Sequence, residues 1–522
     1  MRMRATTGRV VGALALLLSL GAAAPSRQPA FDIVISGGRV MDPETGFDRI
    51  ANVGIRGHSI VAISTTPLHG QVEIDARGNV VAPGFIDLHA HGQMQLAQRY
   101  QAHDGVTTAI DAEAGALPLA PYYQAMAGRS IINYGVSASH RCARIEVIGG
   151  VPCGGHFATN EATYRVWTHA GAAGDRPFTQ PATPEQQARI VALLRQAVDE
   201  GAIGVGLGLE YTPGAGRSEI YDIFKMAADI NAPVFVHVRR RTPDAAPGVP
   251  IAVVQELIAD AAVTGASLHI CHVHSTGLGD TPVLIDMIDR AEARGIDVTS
   301  EAYPYTAGST MIGSEFFAPG WQQRSSITYS DLQWTATGER LTEESFNRYR
   351  RETPNGMVIV HMIPDAIVDQ AIAASNLLIS SDGQPWMTQG EHPRGAGTFS
   401  RVLGRYVRER HTLTLMAALR KMTLLPAQRL EQIAPAMHNK GRIRVGADAD
   451  IVIFDPNRII DNATYEHPMQ FSGGISTLIV GGTPVIRNGE LVANVFPGQA
   501  VRSQPTAARR PATNRPARRN TA

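Results

Sequence analysis

The chain has 522 residues, 44% of them hydrophobic and 18% charged, and its 47 basic and 47 acidic residues cancel to a formal net charge of zero. Such a composition excludes an intrinsically disordered chain, and the charge balance excludes nucleic-acid binding through a bulk basic field. The length exceeds one ordinary domain and fits a large barrel with a smaller domain beside it.

The first element is a leader. Arg2, Arg4 and Arg9 precede the apolar run 10–20, which ends in Gly21-Ala-Ala-Ala24. The run is short for a membrane span, so residues 1–24 are expected to be a cleaved signal on a periplasmic or secreted protein with no stable membrane anchor. Residues 31–41, 50–55, 59–64 and 71–74 then read as short strands divided by Gly, Asp and Pro. Residues 449–455 echo the first of them, and 477–486 read as a hairpin. Two terminal strand sets that each lack a covering face predict one discontinuous β-sandwich built from 30–80 and 436–497.

Between them, apolar strands at 201–209, 233–238, 267–273, 296–302, 357–362 and 377–381 alternate with helical stretches at 184–200, 218–231, 251–264 and 281–294. This α/β pattern predicts a TIM-like (β/α)8 barrel over 81–435. No Gly-rich dinucleotide loop follows an early strand, which counts against a doubly wound sheet. Residues 316–354 are polar and aromatic without a strand-helix unit, so an insertion at about 312–356 is expected over the barrel mouth. Residues 502–522, rich in Arg, Pro, Thr and Ala, are expected to form a disordered tail. Of the three cysteines, Cys142 and Cys153 are near enough in sequence to pair in an oxidising compartment, and Cys271 lies in an apolar run that predicts a buried strand residue.

Chemistry concentrates at the strand ends. His89-Ala-His91 closes the apolar segment 80–88, and residues at i and i+2 of a strand share one face. Two convergent neutral imidazoles begin a metal site, although such a pair alone is more often two polar residues in a turn. Similar endings recur: His237 with Arg239, His272 with His274 (His269 opposite, read as structural), Asp111 with Glu113, and Asp382 before Gly383. Active sites of (β/α)8 barrels lie at the carboxyl ends of the strands. Together these residues suffice for one or two divalent ions beside a general base.

The segments APGFIDLHAH (82–91), LEYTPG (209–214), HVR (237–239), EAYPYTAGST (301–310), SSDG (380–383) and HPRGAGTFSRVLGRYVRE (392–409) resemble the amidohydrolase superfamily, specifically its N-acyl-D-amino-acid deacylase (D-aminoacylase) family. The resemblance runs from about Phe31 to Val495. It implies a barrel flanked by a β-sandwich and Zn2+ held by His237, His272 and a bridging side chain. His89 and His91 would hold a second, often weaker ion, with Asp382 as catalytic base and acid. The implied reaction is hydrolysis of a small-molecule linear amide, an N-acyl-D-amino acid or D-configured dipeptide, by metal-bound hydroxide. Two departures stand out. Ala112-Glu113-Ala114-Gly115 replaces the family's Gly-Asn-Cys-Gly, so the bridging thiolate is absent and Glu113, with Asp111 as the alternative, is expected to bridge. The chain's three lysines, Lys225, Lys421 and Lys440, leave no candidate for a carbamylated bridge. Where the family places a substrate-holding lysine stands His274; Tyr211, Arg239, Tyr303 and Ser309 match the pattern, and all five are expected to bind the substrate. A cyclic-amide hydrolase of dihydropyrimidinase or hydantoinase type, or an inactive binding scaffold, are the competing readings.

Overall fold

Eight parallel strands form the centre of the molecule: β1 (Phe85–Asp87), β2 (Val106–Leu117), β3 (Asn133–Ser139), β4 (Val205–Gly208), β5 (Pro233–His237), β6 (Ser267–Ile270), β7 (Val298–Ala302) and β8 (Leu377–Ile379). In this computed structural model, which describes residues 31–159, 161–169, 173–239, 249–384 and 392–504, each strand pairs with the next in chain order. The ring closes without a ladder between β8 and β1. Ala90 bridges Gly383, the His91 N–H donates to the Gly383 carbonyl at 2.8 Å, and the Asp87 carboxylate accepts the Ser381 N–H at 3.0 Å.

The connecting helices are amphipathic. Pro184–Asp199 starts at a Thr183/Gln186 capping box with Pro at its first turn, and buries Ile190, Leu194, Ala197 and Val198 at helical spacing. Arg217–Asp229, Val249–Thr264 and Thr281–Ala293 repeat the unit. Two expectations need correcting, and one strand was not expected. Met357–His361 is no barrel strand, because it pairs antiparallel with Ala307–Met311 and Leu332–Trp334. The strand expected over 267–273 stops at Ile270, where the chain turns into the helix Val273–Gly277. β3 escapes pattern reading because NYGVSAS is small and polar, yet it is wholly buried.

The three-stranded unit carries its own aromatic core of Phe316, Phe317, Trp321, Trp334 and Phe346. The insertion is therefore a folded layer bounded by strands at 307 and 361, and the aromatics in its sequence are that core. Both chain ends share one nine-stranded sheet. Phe31–Asp42 pairs with Phe47–Arg56 along one side, while on the other its first half meets Gly70–Asp75 and its second half Val80–Pro83, with a register shift between Ile35 and Gly38. Val80–Pro83 in turn pairs with Ile451–Phe454, joining the two ends around a core that includes Ile33, Val53, Ile55, Ile451 and Ile479.

Residues 1–24, expected to be a signal, and 505–522 of the expected tail lie outside the described residues. Residues 502–504 correct the tail's start: Arg502 stacks on Tyr123 at 3.7 Å, the Ser503 hydroxyl donates to the Val198 carbonyl at 2.6 Å, and the Gln504 N–H to Ile433. Cys142 and Cys153 form a disulfide, and Cys271 is buried. Among the described residues no helix is long and apolar enough to cross a membrane.

No lysine approaches the barrel mouth. Lys225 is exposed beside Asp222, Lys440 pairs with Asp448 and Asp450, and Lys421 is buried with its ammonium on the Ala374 carbonyl. Burial pushes Lys421 from its ordinary 10.5 down to about 7. Between those values the unfolded chain holds the extra proton, so stability rises with pH by up to about 1.4 kcal/mol per unit. Lys421→Met should abolish that rise, read as the difference in unfolding free energy between wild type and variant across pH 7–10; parallel curves would show that Lys421 stays charged when folded.

Candidate metal centre and substrate pocket

The turn after β1 presents two imidazoles. Asp87 accepts the His89 N–H at 3.2 Å as well as that of Ser381, which fixes the backbone before His89-Ala-His91. Each ring is then held through Nδ1. His89 Nδ1 lies 2.5 Å from Glu301 Oε1 at the end of β7, and the other Glu301 oxygen is 3.1 Å from His269 Nε2. His91 Nδ1 lies 3.0 Å from Asp111 Oδ2, which also receives His156 Nε2 at 2.7 Å. A ring that donates through Nδ1 keeps its Nε2 lone pair for a ligand. The two Nε2 atoms are 3.2 Å apart, close to the edge of a tetrahedron around an ion with bonds of about 2.0–2.1 Å. Asp382 Oδ1 stands 3.5 and 3.4 Å from them.

A second group adjoins the first. Glu113 Oε1 is 3.1 Å from His237 Nδ1 at the end of β5, and its Oε2 is 2.7 Å from His89 Nε2 and 3.6 Å from His272 Nε2. Glu113 thus belongs both to His89, His91, Glu113, Asp382 and to Glu113, His237, His272, each set convergent enough for one ion. Gly206 in β4 permits this approach, since a β-carbon there would sit 2.1 Å from the Glu113 carbonyl. His272 and Asp382 both adopt left-handed backbone (φ 31° and 51°), a strain that non-glycine residues tolerate chiefly at functional sites.

Charge points the same way. Asp111, Glu113, Glu210, Glu301 and Asp382 are all buried around the cluster, where Arg394 is the permanent cation in contact with Asp382. Burial opposes a charge on His91 and His237, yet Asp111 drives the former up to about 10 and Glu113 the latter up to about 9. The carboxylates thus favour positive charge at His91 and His237, whereas burial and the neighbouring His237 lower His272. The nitrogen and oxygen donors fit one or two divalent ions.

The remaining predicted residues divide. Tyr211, Tyr303 and Ser309 line the pocket in front of the cluster, with the Ser309 hydroxyl unpartnered among the described residues. Arg239 and His274 do not reach it. β5 ends at His237, and the Arg239 guanidinium turns to the carbonyls of Pro213 and Ala215. His274 falls in the helix after β6, so strand alternation no longer applies; its ring lies buried edge-on to Tyr303 with centroids 4.3 Å apart. Asp111, the alternative bridge, is spent on His91, His156 and the Ala114 N–H.

Sequence reading passed over Arg394, Glu301, Glu210 and His156. Arg394 Nη1 is 3.0 Å from Asp382 Oδ2, its guanidinium lies 4.8 Å from the Tyr303 ring centre, and its Nε and Nη1 have no aligned acceptor among the described residues. Arg394 and Glu301 stand inside recognisable motifs, so only their roles were missed. Glu210 likewise stands inside LEYTPG, whereas His156 carries no local signal.

A family model described as "Amidohydrolase family" matches residues 72–205 and 144–486. An N-acyl-D-glutamate deacylase of Alcaligenes xylosoxydans xylosoxydans is 31% identical over 88% of this chain and 94% of its own. A D-aminoacylase of the same organism is 30% identical over 87% and 94%. The crystal structure of an N-acyl-D-glutamate deacylase from Bordetella bronchiseptica, complexed with zinc and a phosphonate inhibitor, superimposes with a TM-score of 0.74 at 27% identity, covering 90% of this chain and 99% of that one.

Because Glu113 serves both groups, Glu113→Ala should lower the divalent metal retained after dialysis, measured by mass spectrometry of the protein, by roughly tenfold or more. Retention at the wild-type level would show that the histidines suffice without it.

Proposed function

This chain belongs to the amidohydrolase family, and on that premise we propose that it is a metal-dependent hydrolase of linear amides whose substrates are N-acyl-D-amino acids. The observation that carries the reading is Asp382, which faces the metal-ligand nitrogens with one oxygen and Arg394 with the other. A base and an anchor for a free carboxylate are thereby a few ångströms apart in one pocket, the spacing that an amide nitrogen and the α-carboxylate of one amino acid require.

Arg394 takes the substrate carboxylate while its Nη1 stays against Asp382, backed by the Tyr303 ring. The hydroxyls of Tyr211 and Ser309 offer further hydrogen bonds, and Phe157, Trp167, Phe316 and Met357 supply apolar wall for side chain and acyl group. His89, His91, Glu113, His237 and His272 would hold the metal, and zinc suits their mixture of imidazole and carboxylate donors. Once bound, the metal supplies a water that ionises near neutral pH and polarises the scissile carbonyl. Burial raises the affinity of Asp382 for a proton, but Arg394 and His89 outweigh it and hold the carboxyl well below the usual range. Asp382 therefore starts as the base, accepts the proton of the attacking water and delivers it to the leaving amine. The D configuration rests on the relatives.

A cyclic-amide hydrolase fits less well. No lysine stands at the mouth to bridge ions, and a cyclic amide offers Arg394 no free carboxylate. For the cell, we infer export: the leader composition of residues 1–24 and the Cys142–Cys153 disulfide both suit an oxidising compartment.

Metal-loaded protein should hydrolyse N-acetyl-D-amino acids and spare their L-isomers and hydantoins; turnover confined to hydantoins would overturn the reading. Asp382→Asn should cost about 10^3-fold or more in kcat with little change in KM. Arg394→Met should lower kcat for both series and, beyond that shared loss, raise KM at least roughly tenfold for the free acids but not for the matching carboxamides. An equal loss on both substrate series would show that Arg394 serves Asp382 alone.

A further inference from the structure

Behind His91 lies a hydrogen-bond chain that touches neither the pocket nor the ion positions. The Ala158 N–H donates to His156 Nδ1 at 3.2 Å, so that nitrogen is an acceptor and the ring proton sits on Nε2. His156 Nε2–H then donates to Asp111 Oδ2 at 2.7 Å, and His91 Nδ1–H meets the same oxygen at 3.0 Å. The other Asp111 oxygen takes the Ala114 N–H at 2.9 Å and the Gly115 N–H at 3.4 Å. Four donors on one fully buried carboxylate hold it charged and immobile. His91 is thereby locked with its Nε2 beside that of His89, which Glu301 and His269 hold in the matching way.

The other group is backed differently. Among the described residues His272 Nδ1 meets the Ser275 hydroxyl at 3.0 Å rather than a carboxylate, and His237 Nε2 pairs with Glu210 at 3.6 Å. A carboxylate behind a ligating imidazole fixes its tautomer, raises its basicity and typically strengthens metal binding by about 10–100-fold.

We propose that Asp111 and His156 are positioning residues that make the His89/His91 position a tight one, so that this protein retains two ions per chain. This reverses, for this chain, the expectation that the His89/His91 ion is the weaker. The inference rests on the metal-dependent reading above, but its test does not depend on turnover.

Full-length protein is loaded with zinc, dialysed against metal-free buffer and assayed for metal per chain; cobalt-substituted samples are followed by visible absorption during chelator competition. Wild type should hold two ions. His156→Ala and Asp111→Asn should keep one, the second being lost at about 10–100-fold lower chelator concentration. His156→Gln, whose amide N–H can still reach Asp111, should restore two, and circular dichroism checks that each variant is folded. Should His156→Ala fail to fold, Asp111→Asn and His156→Gln carry the test. A wild type that retains a single ion, or folded variants that hold both ions as tightly as wild type, would overturn the proposal. Loss of one ion in the variants beside a complete lack of amidase activity in wild type would sustain it and sink the functional reading instead.

Discussion

Five carboxylates buried at one end of a barrel are the constraint around which this molecule is arranged. Unpaired, each would cost several kcal/mol of desolvation, and their mutual repulsion would add to it. Asp111 and Glu301 are answered by pairs of histidines, Asp382 by Arg394, and Glu113 by the imidazoles that converge on it. What remains is a small volume in which positive charge is strongly favoured and nitrogen lone pairs already point inward. Metal binding and stability are thus two aspects of one electrostatic arrangement, and the closure of the barrel through Asp87, Ser381 and Gly383 holds it in place.

The insertion turns that charged end into a pocket. Its strands bring Ser309, Thr310, Met311 and Met357 over the cluster, and its own aromatic core gives it the rigidity to serve as a wall. Arg394 arrives at the start of the helix Arg394–Arg401, where the Arg394 N–H donates to His392 Nδ1 and His392 in turn reaches the Ala307 carbonyl. The anchor for an anionic substrate and the insertion's first strand are therefore connected through one histidine.

Much of this was legible in the sequence. Strand periodicity located most of the barrel, and His89, His91, Glu113, His237, His272 and Asp382 do come together in space. What escaped reading did so for physical reasons. Alternation along a strand says nothing once the strand ends, which is why Arg239 and His274 point elsewhere. Met357–His361 has the composition of a buried parallel strand, but only its partners reveal that it belongs to another sheet. His156 acts through neighbours distant in sequence, and no local pattern marks such a residue.

The sheet shared by the two ends of the chain has a consequence for how the protein comes into being. Val80–Pro83 gains its partner Ile451–Phe454 only after several hundred intervening residues have been made. Until then one edge of the sheet and the core beneath it remain open, so a nascent or prematurely terminated chain carries an unpaired, apolar strand edge of the kind that invites aggregation. A fold completed by its last strands cannot be finished during synthesis. That delay makes the C-terminal strands the step on which the completed sheet waits.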